Sequence, residues 1–371
     1  MWDRSVTLFL CGDVMTGRGI DQILPHPVEP QLFEPYMRSA IGYVKLAEET
    51  LGPLPKPVDF SYVWGDALAE LDRVRPDARI INLETAITSS DDAWPGKGIH
   101  YRMHPANAPC LAAAKIDCCV LANNHALDWG VRGLEETLDT LRAAGVRTAG
   151  AGRDADEAAA PAVIDLEGNR RVLVFAFGME SAGVPSDWEA TRHRPGLRML
   201  PDLSAKTADG VAAGIVTGRR AGDIVVVSIH WGGNWGYDIS RSEREFAHRL
   251  IDAGAADIVH GHSSHHPRAV EIHGDRPILY GCGDFLNDYE GISGHELFRP
   301  GLALMYFPTF DPETGRLVRL SLTPTRIGRF RVNLANEGEA NWLAAMLEHE
   351  GRGFGTRVER GAPSRLVVSG F

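Results

Sequence analysis

A series of oxygen and nitrogen donors stands where short apolar runs stop. Val6 to Cys11 leads into Gly12-Asp13, and Ala78 to Leu83 leads into Glu84. Ile116 to Ala122 leads into Asn123-Asn124-His125, and Ile224 to Ile229 into His230. Ala256 to Val259 leads into His260-Gly261-His262-Ser263-Ser264-His265-His266. Apolar runs of this length suit strands covered on both faces. In open α/β sheets, sites form in the crevice beyond the carboxyl ends of the strands. Five segments would therefore bring Asp, Glu, Asn and His to one edge. These donors suit divalent ions such as Mn²⁺, Fe²⁺ and Zn²⁺. A bridging carboxylate can hold two ions about 3.5–4 Å apart, an arrangement that activates water for hydrolysis without a covalent protein intermediate.

Each residue alone has a plainer role. Asp13 after a glycine suits a turn, Glu84 a helix cap, Asn124-His125 a loop pair, and His230 a satisfied core histidine. Four histidines within the seven residues from His260 to His266 are harder to assign to packing. The set together points to a metal centre. Asp128 reads as a cap or as the partner of a catalytic group. Arg18, five residues after Asp13, reads either as a fork for a substrate anion or as a surface salt bridge. Trp231 reads as pocket wall or packing. Cys282 reads as a buried strand-end thiol, because no base stands beside it in the sequence.

The elements that must position these residues are short strands alternating with helices. Val172 to Phe177 and Ile278 to Tyr280 add two further strands. Leu134, Leu138 and Leu141 have helical spacing, as do Phe246, Leu250 and Ile251, the latter behind Ser242-Glu243-Arg244-Glu245, a capping-box pattern. The alternation predicts an α/β sheet with helices on its faces. Two stretches break the rhythm. Residues 24–59 carry seven prolines and residues 89–109 are rich in Gly, His and Pro, so both read as long specificity loops. A helix near Asn341 to His349 and an apolar run from Leu366 to Ser369 follow.

Composition narrows the function. Among 371 residues, 38 Lys and Arg stand against 49 Asp and Glu, a net charge of −11 that disfavours nucleic-acid or polybasic membrane binding. No window approaches the ~18 consecutive apolar residues of a membrane span. Met1 to Ser5 runs straight into Val6 to Leu10 without a signal-peptide pattern. Five cysteines, two of them adjacent, suit reduced buried thiols and a cytoplasmic location rather than a disulfide frame.

The motifs Gly12-Asp13-Val14-Met15-Thr16-Gly17-Arg18, Asn82-Leu83-Glu84, Leu121-Ala122-Asn123-Asn124-His125-Ala126-Leu127-Asp128-Trp129-Gly130, His230-Trp231-Gly232, Gly261-His262 and Tyr280-Gly281-Cys282-Gly283-Asp284-Phe285 resemble the CapA family of capsule or poly-γ-glutamate synthesis proteins. The match is ordered from about Val6 to Asp288. That family's domain is similar to the calcineurin-like metallophosphoesterases, and the resemblance implies a four-layer αββα sandwich with two mixed β-sheets flanked by helices. It implies one body over residues 1–330, with 331–371 packing on it as a C-terminal helix and tail.

The resemblance also implies roles. Asp13, Glu84, Asn124, His230, His262 and His265 become ligands of one or two divalent ions, with His265 and His266 alternatives for the last position. His125 becomes the general acid, with Asp128 and Arg18 beside it. His266, Trp231 and Asp284 become substrate contacts. The implied substrate is a small or peptide-like anion, cleaved at a phosphate ester or a γ-glutamyl amide. The alternative is an accessory protein acting through a polymer-synthesis ligase. Two departures bear on this choice. Met15 stands where phosphoesterases carry a histidine, and a thioether is a poor ligand for a hard ion. Glu84 stands where they carry the shorter Asp.

Overall fold

A computed structural model describes residues 5–361 and 365–369. Met1 to Arg4, the lead into the first strand, lie outside the described residues. Two mixed sheets dominate. The larger runs, edge to edge, Arg357–Gly361, Arg365–Ser369, Leu317–Ile327, Leu302–Phe310, Val6–Val14, Ala78–Leu83, Cys118–Val120 and Arg147–Ala149. The second runs Val270–His273, Arg276–Leu279, Ile258–His262, Ile224–His230, Arg170–Gly178 and Ala162–Leu166. The strands that end at the predicted donors are parallel to one another within each half.

The period-2 alternation of each strand explains the layering. Leu8, Leu10, Ile80 and Val120 pack with Val172, Val174, Val226 and Ile258 in one core between the sheets. Their neighbours Phe9, Ile81 and Cys119 turn outward to Leu71, Leu134 and Leu138 of two helices, Asp66–Val74 and Gly130–Ala143. On the other side, Val225, Val227 and Ile229 meet Ile215, Phe246 and Leu250 of Ala205–Gly218 and Arg241–Asp252. Helices therefore cover both outer faces of an α/β sandwich. Leu343, Met346 and Leu347 of the helix Glu337–Gly351 join the inter-sheet core.

Several expectations are corrected. The stretch 24–59 is not all loop, because Ile41–Leu51 is helical and buries Tyr43, Val44 and Ala47. The capping box belongs to Ser240 and Glu243, since Ser240 is the N-cap and the helix starts at Arg241. The last helix starts at Glu337, ahead of Asn341, because Asn336 and Glu339 form a second capping box. Ala162–Leu166 and Leu317–Ile327 are strands that the apolar runs do not announce, and Leu302–Phe310, with its apolar run from Leu302 to Phe307, is a further strand beyond those expected.

Where the two sheets' strand ends meet, backbones touch. A Cβ on Gly12 would lie 1.6 Å from the Gly283 carbonyl oxygen. Gly12→Ala is therefore expected to cost about 3 kcal/mol or more, because both contacting groups are backbone and cannot swing away. Urea unfolding would show it, and unchanged stability would refute the close approach.

At the opposite edge, Glu70 joins three elements. It accepts hydrogen bonds from Arg73, from Thr323 and from Arg365. Burial alone would raise its pKa, but these donors outweigh it and bring the carboxyl down to about 2. The stabilisation is present above pH ~4.5 and is lost as pH falls toward 2, where Glu70 protonates. After discounting for the exposed arginines, Glu70→Gln should lose about 1–2 kcal/mol at pH 7 and nothing extra at pH 2, read by denaturant titration at both pH values.

Candidate metal centre

The inward face of the second sheet supplies the imidazoles. His230 continues the inward series Ile224, Val226 and Ser228, and it lies in register with His262 on the next strand. Their Nδ1 atoms are 2.7 Å apart. Ser228 Oγ lies 2.8 Å from His262 Nε2 and 3.1 Å from His260 Nδ1, while His260 Nε2 reaches the Cys11 carbonyl across the sandwich at 2.7 Å.

The first sheet supplies the carboxylates. The alternation that runs from Val6 through Leu10 would turn Asp13 outward with Phe9 and Cys11, but the pairing with Ala78–Leu83 shifts register between Leu10 and Asp13. The irregularity re-aims the side chain, as bulges beside sites commonly do. Asp13 then pairs with Asn82 on one side and Asp284 on the other. Asn82 donates to Asp13 Oδ1 at 2.7 Å. Ser263, whose φ is +103°, donates its backbone N–H to Asp13 Oδ2 at 3.3 Å. A non-glycine residue in that region is costly and is found where surrounding structure holds it.

Two donor sets share Asp13. Asp13, His230 and His262 have ligand atoms within 4.8 Å of one another, and so do Asp13, Glu84 and Asp284; all five residues are buried. Asn124 Oδ1 lies 3.1 Å from His230 Nε2. Burial raises Asp13 to about 7, with Asp284 adding to the effect, and burial with Asp13 and Asp284 raises Glu84 well above its usual range. Burial and neighbouring imidazoles push His230 and His262 well down. The cluster thus favours neutral groups until a cation is supplied, and its hard oxygen and imidazole donors fit a divalent ion.

Beside the two sets stands a second unit. His125 Nδ1 is 2.7 Å from Asp128 Oδ2, and its Nε2 is 3.8 Å from Glu84 Oε1. Lys97 sits 2.8 Å from Asp128 Oδ1, and Tyr101 both stacks on the His125 ring at 3.8 Å and donates its N–H to Asp128 at 2.6 Å. Burial outweighs the pull of Asp128 and lowers His125 to about 4. Asn123 ties the unit to the strand ends, donating to Asn82 and to the Leu83 carbonyl and accepting from the His125 N–H.

The other expected residues fall as follows. His265 turns to Asp284 at 3.0 Å, and although burial opposes its charge, Asp284 raises its pKa. His266 is turned away from the donor sets, its ring between Phe298 and Tyr237 and its Nε2 accepting from the Gly236 N–H. Trp231 is corrected from pocket wall to packing, since it is fully buried and donates to the Tyr280 carbonyl. Arg18 is neither a free anion fork nor a surface ion pair. Its guanidinium is buried, bonded to Glu34 and Asp288, and lies over the rings of Tyr43 and Tyr101. Cys282 is buried and its thiol is pushed well above the ordinary range, chiefly by burial, which removes a thiolate role. All five cysteines are free and buried.

Sequence reasoning puts Asp284 among substrate contacts and misses its company with Asp13 and Glu84. The signal is present, because Gly283-Asp284 follows an apolar run as Gly12-Asp13 does. Lys97 and Tyr101 carry no local signal.

Comparison with known proteins follows the same lines. Residues 7–289 match the family described as bacterial capsule synthesis protein PGA_cap. A probable polyglutamine synthesis accessory protein of Mycobacterium tuberculosis is 50% identical over 354 residues, covering 95% of this chain and 93% of the relative. The capsule biosynthesis protein CapA of Bacillus anthracis is 24% identical, covering 77% of this chain and 61% of its own. The PGA biosynthesis protein CapA of Bacillus subtilis is 28% identical, covering 52% and 48%. With the match running through every strand end that carries a donor, the chain belongs to the PGA_cap family of bacterial capsule synthesis proteins.

Proposed function

We propose that the protein is a metal-dependent hydrolase serving poly-γ-glutamate or related polymer synthesis. The observation that carries this reading is the meeting of Asp13, Glu84, Asp284, His230 and His262 beside the His125–Asp128 pair. Asp13, His230, His262 and Asn124 would hold one divalent ion, and Asp13, Glu84 and Asp284, with His265 behind Asp284, a second. Mn, Fe and Zn all suit these donors. Such an ion would supply positive charge to polarise the scissile group and activate water.

The chain's own residues do the rest. Asp128 accepts the Nδ1 proton of His125 and fixes the tautomer, leaving Nε2 toward the centre. Lys97 holds Asp128 charged, and Tyr101 fixes the ring plane. With the resting ring's proton on Nδ1, Nε2 must first take up a proton from water; the low pKa then makes that proton easy to give to a leaving oxygen or nitrogen. The substrate class is a phosphate ester or an amide such as a γ-glutamyl bond. We place the activity in the cytoplasm, in keeping with five free buried thiols. No helix among the described residues is long and apolar enough to cross a membrane.

A second reading has its own support. The Mycobacterium relative is named an accessory protein, and Met15 replaces a histidine in the first motif. In that reading the fold serves a partner ligase and turns over nothing alone.

Asn124→Ala and His230→Ala should each lower metal content after purification and reconstitution, by at least the ~10–100-fold in affinity that losing an outer-shell partner costs. Elemental mass spectrometry reads this directly. A natural protein that takes up no Mn, Fe or Zn would overturn the hydrolase reading and leave the accessory one. Asp128→Asn should retain the metal and lower kcat by about 10²–10⁴-fold on whichever phosphate ester or γ-glutamyl amide proves active in a substrate screen. Full activity in Asp128→Asn would remove His125 from the proton-transfer role.

A further inference from the structure

A separate group of donors lies outside the sandwich, between the helix Arg241–Asp252 and the edge strand Val270–His273. His248 and Asp252 are four residues apart and so share one helix face. Glu271 and His273 are two apart and share one face of the strand. The His248 and His273 rings stack in parallel, with centroids 3.8 Å apart and planes 7° apart. His248 Nε2 is 3.0 Å from Glu271 Oε1, and His273 Nε2 is 2.7 Å from Asp252 Oδ1. Ligand atoms of His248, Glu271 and His273 lie within 4.8 Å of one another.

The geometry points to a second, peripheral binding site for a borderline divalent cation of the zinc type, held by His248, His273, Glu271 and Asp252. Two imidazoles and two carboxylates are donors of the types that Zn²⁺ takes in four-coordinate sites, and three of them, His248, Glu271 and His273, already converge. Both histidines are partly exposed, at 22% and 28% of their side chains, so an ion can reach them. Glu271 is already fixed, accepting from the Tyr280 hydroxyl at 2.6 Å and from Arg244 at 2.9 Å, so it presents an oriented carboxylate. Arg244 also contributes a positive charge that favours modest affinity over very tight binding. The ion would take the place of the ring protons now shared with Glu271 and Asp252 and would clip the helix to the strand. This site shares no residue with the sets around Asp13, and its occupation does not rest on the hydrolase reading.

The test is equilibrium dialysis of the full chain against Zn²⁺, with elemental mass spectrometry, for the natural sequence and for His248→Ala/His273→Ala. The double variant should bind one zinc fewer per chain, keep any activity, and lose a zinc-dependent rise of about 2–4 °C in unfolding temperature. Asn124→Ala/His230→Ala should lose a different equivalent and keep that rise. His273→Gln, which preserves a polar group at the surface, should behave like the double variant and guards against misfolding. Equal zinc counts in the natural protein and in His273→Gln would overturn the proposal, whatever the outcome at the Asp13 centre.

Discussion

Three carboxylates share one buried space, and most of the surrounding structure answers to that fact. Asp13, Glu84 and Asp284 present oxygens within 4.8 Å of each other, and all three side chains are shielded from bulk water. Like charges at that distance in a low-dielectric setting cannot all ionise without a counter-charge, and the raised pKa values of Asp13 and Glu84 express the conflict. Hydrogen bonds from Asn82 and from the Ser263 backbone relieve only Asp13, and Asn287 relieves only Asp284. A stability optimum would not choose this cluster. Buried charge conflicts of this kind concentrate at functional sites, and a bound cation is one way to resolve them.

The fold meets this demand by irregularity placed in otherwise regular strands. A register shift turns Asp13 inward, a positive φ turns the Ser263 N–H onto it, and two glycines, Gly12 and Gly283, let the strand ends come into backbone contact. The second sheet needs no such device. Plain alternation from Ile224 through His230 and from Ile258 through His262 delivers the imidazoles, and Ser228 spaces the rings. One half of the site is thus built by strand periodicity and the other by departures from it.

That division also explains what was legible in the sequence. The strand cores were readable because they are long apolar runs, and the donors at their ends were readable because polar residues follow them at once. Leu317–Ile327 was not, since Pro324 and alternating polar residues mask it, whereas its antiparallel partner Leu302–Phe310 carries the same apolar signal over Leu302 to Phe307 without being among the expected strands. Ile41–Leu51 was hidden by the prolines on either side of it. His265 and His266 are adjacent and chemically identical, and only the turn after Ser263 decides that one faces Asp284 and the other Phe298. Lys97 reaches Asp128 from a stretch without periodicity, and contacts made by such a stretch leave no trace in local pattern.

Arg18 shows why those stretches are walls of the site and not loose covers. A buried guanidinium is costly unless every face is satisfied. Here Glu34 comes from the 24–59 stretch, Asp288 from beyond the strand Asp284–Leu286, and the Tyr43 and Tyr101 rings from the helix Ile41–Leu51 and the 89–109 stretch. Tyr101 then reaches the Tyr289 hydroxyl at 2.7 Å while its ring lies on His125. Releasing the 24–59 stretch would take Glu34 and Tyr43 from Arg18, and releasing the 89–109 stretch would take Tyr101 from both Arg18 and the His125 ring. The arginine therefore ties the placement of both long segments to the carboxylate Asp288 and, through Tyr101, to the histidine beside the carboxylate cluster, so these segments are set in place by the fold itself.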